Sequence, residues 1–192
     1  MSIEKKFDPK KFEKLKKPER LDREDPEVIW ENMGLKSGST FIDIGCGVGF
    51  AAIPFAKKMR NGVVYACDIS EEMLAMLKNE LGDAVVKNVT PVKMDEVGVP
   101  LPDGIADGVL MQNLHHEFDN AVDNLKECRR LLKPGGIVAV IDWKPMETEG
   151  GPPLEIRVDA KKIEKDMANA GFNEVKSLDV FPYHNFIIAI NR

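Results

Sequence analysis

Residues 43–49 read Asp-Ile-Gly-Cys-Gly-Val-Gly, three glycines at alternate positions behind one carboxylate. Without a Cβ, Gly45, Gly47 and Gly49 let a backbone turn sharply and approach a ligand closely. A helix starting just behind them would offer its unpaired N–H groups to a carboxylate or phosphate. Asp68 closes the apolar run 63–67, and a carboxylate there can accept both hydroxyls of a ribose. Ile69 beside it offers an apolar face to an adenine, and Asp95 can accept from the adenine amino group. His115 and His116 follow the apolar run 106–112 and are the candidate general bases.

Two ligands compete for such a loop, a dinucleotide and S-adenosylmethionine (SAM). The dinucleotide fingerprint requires G-x-G-x-x-G or G-x-G-x-x-A directly after a strand. Counted from Gly45 the third position is Phe50, which fails; counted from Gly47, Gly49 and Ala52 match. That second register leaves Asp43 and Gly45 without a purpose. An acid at the strand end makes sense if it organises the loop around a ligand carrying a cationic ammonium, as SAM does. Asp68 does not choose between them, because both ligands contain the same ribose.

The elements that must position these residues alternate. Apolar runs predict strands at 40–44, 63–67, 89–94, 106–112 and 137–143. Near-continuous apolar strands belong to a parallel sheet covered on both faces. Helices are predicted over 50–59, where Pro54 is tolerable in the first turn, from a Ser70 cap, over 119–132 and from an Asp159 cap, ending at Gly171. Lys133-Pro134-Gly135-Gly136 breaks the third of these. Two apolar stretches, 175–181 and 185–190, suit a closing hairpin. Ahead of this pattern, Asp25-Pro26 starts a helix that Gly34 ends. An earlier one is predicted from Asp8 to Pro18, with Phe7 stapled onto Phe12. Residues 1–24 therefore read as a basic helical arm, and 25–192 as one α/β domain.

In order, FIDIGCGVGF (41–50), YACDIS (65–70), VKMDEVGVPLPDGIADGVLMQNLHH (92–116), LKECRRLLKPGGIVAVIDW (125–143) and AGF (170–172) form a set. Through it the sequence resembles the class I SAM-dependent methyltransferases over residues 25–190. The likeness is to the small-molecule branch that includes ubiquinone/menaquinone and arsenite methyltransferases. The resemblance implies a Rossmann-like doubly wound sheet of seven strands, order 3-2-1-4-5-7-6, with strand 7 antiparallel. It places Gly45, Gly47 and Gly49 against the methionine part of SAM and Asp68 on the ribose. Asp95, with the Glu96 backbone, holds the adenine, and Asn113 lies near the methionyl group or the reactive methyl. Simpler roles exist: Asp95 capping a turn, Asn113 satisfying loop backbone. The paired cysteines that an arsenite enzyme needs are absent, as is an Asn-Pro-Pro-Tyr run of the nucleic-acid-base enzymes.

The expected activity is in-line transfer of a methyl group to a small-molecule acceptor. The alternatives are a SAM-binding sensor or partner subunit without catalysis, and an NAD-type oxidoreductase. The latter lacks an evident substrate domain or tyrosine-lysine pair. His115 and His116 would serve as bases if the acceptor must lose a proton; otherwise one caps the following helix and the other faces solvent. Tyr183 and His184 are further candidates in the hairpin turn. Trp143 and the loop 145–153 are read as the acceptor wall, or else as ordinary strand-end packing.

Composition bounds the rest. Eight Lys/Arg stand against four Asp/Glu in residues 1–20, while the remainder carries 19 against 28. An acidic body disfavours nucleic acid as a partner. The Lys-rich start has no apolar h-region behind it and no run is long enough to span a bilayer. Cys46, Cys67 and Cys128 lack any C-x-x-C spacing, so neither a disulfide framework nor a metal site is expected. A cytoplasmic setting follows. The arm, with Phe7, Phe12 and Leu15 on one small apolar face, is expected either to fold over the cleft as a lid or to be a frayed terminus without a role.

Overall fold

The computed structural model describes residues 18–82 and 86–192. One sheet contains β1 (Thr40–Ile44), β2 (Val63–Asp68), β3 (Val89–Lys93), β4 (Ala106–Gln112), β5 (Leu132–Trp143), β6 (Asn173–Leu178) and β7 (His184–Ile190). Their spatial order is β3-β2-β1-β4-β5-β7-β6. The first five are parallel, and β7 runs antiparallel to both its neighbours. Order and sense are those implied by the resemblance. Six helices accompany the strands among the described residues: α1 (Leu21–Glu24), α2 (Pro26–Met33), α3 (Ala52–Lys58), α4 (Glu71–Leu81), α5 (Ala121–Leu131) and α6 (Ala160–Asn169). None is long and apolar enough to cross a membrane.

Alternate residues of the central strands feed opposite faces. Phe41 of β1 packs in a cluster with Ile29 of α2, Phe55 of α3 and Leu77 of α4. Its neighbour Ile42 joins Leu125 and Leu131 of α5 and Ile163 and Met167 of α6 on the other side. Both faces are dry, which is why β1 and β4 carry apolar residues without alternation. Between β1 and β4 the winding reverses, and the carboxyl ends of these two strands diverge into a crevice.

Local chemistry sets the helix ends. Asp25 accepts from Glu27 N at 2.8 Å, and Gly34 closes α2 in the left-handed region at φ +62°. Ser70 and Asp159 cap α4 and α6 through Met73 N and Lys162 N. Four elements differ in their bounds from the sequence reading. Helix α3 begins at Ala52, after the glycine loop has been used up in turns, and α5 begins at Ala121. Strand β5 begins at Leu132, because residues 133–136 join the ladder as an irregularity instead of forming a free loop. Pro134 has no N–H to give, Gly135 takes φ +80°, and the glycine pair exchanges backbone bonds with Asn191. Strand β6 is an edge strand, displaced to 173–178 and only part-buried.

Residues 1–17, with the helix expected there and the Phe7, Phe12 and Leu15 face, lie outside the described residues. The end of the arm is described. A 3₁₀ turn, Pro18–Arg20, runs through α1 directly into α2, and Glu24 is only 2% exposed.

One glycine tests the packing between β1 and β2. A Cβ on Gly62 would meet the Ser39 carbonyl oxygen at 2.3 Å, whereas one on Gly38 would meet nothing within 4 Å. Gly62→Ala is expected to destabilise the chain by about 1–3 kcal/mol. Gly38→Ala should stay within about 0.5 kcal/mol of the parent in urea denaturation. Equal stability of the two variants would show that the β1–β2 junction yields.

Candidate active site

A cleft of about 1630 Å³ opens at the carboxyl edge of the sheet, at the β1/β4 reversal. Its volume exceeds the few hundred to roughly 1,000 Å³ of a one-ligand pocket, leaving room for two small molecules side by side. One half is walled by residues 45–48, 68–70, Met73, 94–96 and 112–114. The other half is walled by His116, Phe118, Trp143, residues 147–153 and Tyr183, and arm residues 19, 20 and 22–24 line the cleft as well.

The glycine loop is tied to β2. Gly45 N and Cys46 N both donate to Cys67 O, at 2.8 and 3.0 Å. Gly47 N donates to Asp68 Oδ2 at 2.9 Å, and Ser70 N to Oδ1 at 2.8 Å. Gly45 and Gly47 sit at φ +71° and +52°, a region where a side chain is strained. A Cβ on Gly45 would also strike the Leu114 side chain at 2.7 Å. Gly49 has a different task from the one the resemblance gave it. It lies off the cleft wall, and a Cβ there would come within 2.6 Å of Leu77, so its bareness lets the loop pack on α4.

Asp43 is likewise behind the loop, buried and off the cleft wall. Burial pushes its carboxyl up to about 7. The bond from Ala52 N–H at the start of α3 and the charge of Arg20 pull the other way, while the Asp68 charge adds to the rise. Part of the helix N-terminus expected to face the ligand is thus satisfied from inside. Burial also raises the Asp68 carboxyl, opposed by the backbone N–H groups of Ser70 and Gly47 and by Lys93. A carboxylate has about four acceptor positions, so Asp68 keeps capacity for ligand hydroxyls after holding these two amides.

Ile69 is 45% exposed on the cleft wall, and Asp95 and Glu96 line it in the turn closed by Asp95 N to Gly98 O at 2.9 Å. Asn113 follows the end of β4 at φ +57°. Its Nδ2 donates to Glu24 Oε2 at 2.6 Å, while its Oδ1 is buried with no partner. The order of glycine cradle, ribose-type carboxylate and apolar shelf, with an open buried acceptor beside the cradle, fits SAM. Gly45–Gly47 and Asn113 would hold its amino-acid end, Asp68 the ribose, and Ile69, Asp95 and Glu96 the adenine.

The two histidines part company. His115 is absent from the cleft wall. It is buried in the 3₁₀ turn His115–Glu117 with Nε2 3.2 Å from Asp166 Oδ2 of α6, and burial lowers its pKa despite nearby Asp142 and Asp166. It cannot reach an acceptor, so it is withdrawn as a base. His116 lines the cleft, with Nδ1 2.7 Å from Asp142 Oδ1. Burial disfavours its imidazolium, but the hydrogen bond and charge of Asp142 prevail and the pKa rises. Asp142 is fully buried, which alone would raise it. The bond to His116, that charge, and the His116 and Trp143 N–H groups bring it down instead. Both histidines are buried, so neither faces solvent.

Trp143 and Tyr183 are on the wall, whereas His184 is buried behind Trp143, ring centroids 4.2 Å apart. The 145–153 loop is held by Arg157, which donates to the carbonyls of Met146, Gly150 and Pro152. Burial pushes the thiols of Cys46, Cys67 and Cys128 up, so none is a nucleophile. Among the described residues no group of three His, Cys, Asp or Glu is arranged to hold a metal.

Three participants escaped the sequence reading. Asp142 had a usable signal, as a lone carboxylate in a dry strand must be paired. Arg157 and Glu24 had none, and Glu24 is hidden in the charged run ERLDRED, which resembles a solvated helix face.

A doubly wound seven-stranded sheet with this cradle at its winding reversal defines a SAM-dependent methyltransferase fold of class I. The comparisons agree. A family model described as a methyltransferase domain (type 11) matches residues 42–140. A SAM-dependent methyltransferase from Aquifex aeolicus is 35% identical in crystal structure, with TM-score 0.91 and coverage of 97% of this chain and 100% of its own. The chain belongs to the class I SAM-dependent methyltransferase family, in its small-molecule branch. The ubiquinone/menaquinone biosynthesis C-methyltransferase of Cupriavidus pinatubonensis is 38% identical over 123 residues, 59% of this chain and 48% of its own. The demethylmenaquinone methyltransferase of Staphylococcus saprophyticus is 30% identical over 115 residues, 59% and 48%. The chain spans about half the length of the curated relatives it matches.

Asp43 gives a pH test. Its folded pKa, about 7 against an ordinary 3.8, means that the folded chain keeps a proton the unfolded chain has released. Stability is therefore lost as pH rises from about 4 to about 7. Asp43→Asn keeps an acceptor for Ala52 N–H and removes the titration. The variant should gain on the parent in urea midpoint between about pH 5 and about pH 8. The same difference at both pH values would rule out a protonated Asp43.

Proposed function

We propose that the chain transfers the methyl group of SAM in line to a small-molecule acceptor bound between His116, Trp143 and Tyr183. The observation that carries this is the single cleft. The cofactor cradle of Gly45, Gly47 and Asp68 opens without a wall into an aromatic half that holds a carboxylate-oriented imidazole. When bound, SAM supplies a methyl group already made electrophilic by its sulfonium. The protein's share is alignment, worth on the order of 7–11 kcal/mol for well-oriented reactants. Trp143 provides a broad apolar wall, and the Arg157-tied loop shapes the outer side of the acceptor space.

His116 would take a proton from the acceptor. Asp142 fixes the ring by accepting from Nδ1–H, which turns Nε2 into the basic atom. The relatives are named as C-methyltransferases of ubiquinone/menaquinone biosynthesis. A carbon acceptor needs such a base where loss of an adjacent hydroxyl proton creates the nucleophile, so an acidic hydroxyl-bearing ring is the acceptor class we assign. A reduced, cytoplasmic setting goes with this reading, because all three cysteines are free and buried.

Calorimetry should show binding of SAM and S-adenosylhomocysteine and none of NAD. Turnover of radiolabelled SAM against a metabolite library should then find an acceptor. Binding without any turnover would favour the non-catalytic sensor. Asp68→Ala should weaken SAM by at least about tenfold, since a hydrogen-bonded charge is worth about 1.5–3 kcal/mol; unchanged affinity would take Asp68 off the ribose.

With an acceptor in hand, kcat/KM should rise with pH through an imidazole pKa above the ordinary value of 6.5. His116→Ala should remove that limb and cost about 10²–10⁴-fold. Asp142→Asn removes the charge that raises His116 and should move the inflection to lower pH. A pH profile indifferent to both variants would show that methyl transfer needs no base here.

A further inference from the structure

Glu24 is a charged side chain out of water where the arm meets the end of β4. Its side chain is 3% exposed. One oxygen, Oε1, accepts from Arg20 Nε at 2.6 Å, and Arg20 in turn lies 3.7 Å over the Phe50 ring. The other, Oε2, accepts from Gln112 Nε2 at 2.8 Å and from Asn113 Nδ2 at 2.6 Å. His184 Nε2 is 3.8 Å from the same oxygen. Nothing in the fold of the sheet requires this carboxylate, because β4 has already ended at Gln112.

What Glu24 does is visible at Asn113. A carboxylate only accepts, so the Asn113 amide must turn its nitrogen toward Glu24. The amide oxygen is thereby forced the opposite way. That oxygen is buried and unpartnered, Asn113 itself lines the cleft, and the side chain of its neighbour Leu114 stands where a Cβ on Gly45 would be. A buried acceptor without a partner is unfavourable, and the fold meets this cost in addition to the strained backbone at φ +57°. An acceptor held open at such a cost awaits a donor from a ligand. The ligand group beside the cradle is the amino-acid end of SAM, and its donor is the ammonium.

We propose that Glu24 is a positioning residue for the cofactor: it locks the Asn113 amide so that Oδ1 receives the ammonium of SAM. This rests on the SAM-binding reading above. It also gives the arm a part in cofactor binding, since the residue that sets the amide is carried by α1 and clamped by Arg20.

The test is calorimetry on the full chain with three probes: SAM, S-adenosylhomocysteine and 5′-methylthioadenosine, which has the nucleoside but no amino-acid group. Glu24→Ala should weaken SAM and S-adenosylhomocysteine tenfold or more and leave 5′-methylthioadenosine unchanged. Asn113→Ala should show the same pattern, and adding Glu24→Ala to it should cost nothing further, because the two act as one unit. Glu24→Gln keeps the shape and one acceptor oxygen, so it should fall between parent and Glu24→Ala, and it carries the test should the alanine variant fail to fold. Equal weakening of all three probes would make Glu24 a merely structural residue and overturn the proposal. So would additive losses in the double variant, or unchanged SAM affinity in Glu24→Ala. Failure of the parent chain to bind any of the three would instead remove the SAM reading itself.

Discussion

Burying a carboxylate is among the costliest acts in folding, and the carboxyl edge of this sheet does it four times. Each is met by a different element. Asp43 takes an N–H from the start of α3, and Asp68 takes those of Gly47 and Ser70. Asp142 takes His116, and Glu24 takes Arg20 with two amides of the β4 end. These bonds cross from strand to loop or helix, so they do more than satisfy charge. They fix the glycine turn, the His116 imidazole and the arm relative to the strand ends. Without them the parallel sheet would still bury its two apolar faces, but the edge above it would have no set shape.

The four are not equivalent electrostatically. Where the partners are neutral amides, at Asp43 and Asp68, burial wins and the carboxyl is pushed up. Where the partner is an imidazole that becomes cationic, at Asp142, the carboxyl is pulled down and the ring pushed up. The edge therefore differs from end to end: the buried Asp68 has only neutral amides as hydrogen-bond partners, whereas Asp142 has an imidazole that can carry the opposite charge.

Much of this was legible in the sequence. Strand positions, the helix caps at Asp25, Ser70 and Asp159, and the terminal hairpin follow from apolar runs and capping chemistry, which are local. Gly45, Gly47 and Asp68 were readable because a glycine turn and a strand-end acid have few other uses. Other features depended on direction in space. Whether His115 or His116 faces the cleft turns on one residue of a 3₁₀ turn, and Gly49 serves α4, not the ligand, because Leu77 happens to stand behind it. Residues 133–136 looked like a loop, and they are a strand because Asn191, far along the chain, pairs with the two glycines. Glu24 contacts Gln112 and Asn113 across almost ninety positions of sequence, a distance over which local patterns say nothing.

The two halves of the cleft are also built differently, and that difference bears on what family membership can specify. The cofactor half is made of strand ends, a backbone turn and buried carboxylates, all inside or close to the 42–140 segment that the family model matches. The other half takes His116 and Phe118 from that segment but Asp142, Trp143, the loop that Arg157 draws together and Tyr183 from beyond it, with arm residues lining the cleft from before it. A loop tied through its own carbonyls can change sequence and shape without disturbing a single bond of the cradle. The short stretch from Gln112 to His116 joins the two halves: Asn113 and His116 both line the cleft, so the register of that turn fixes how the halves stand relative to each other.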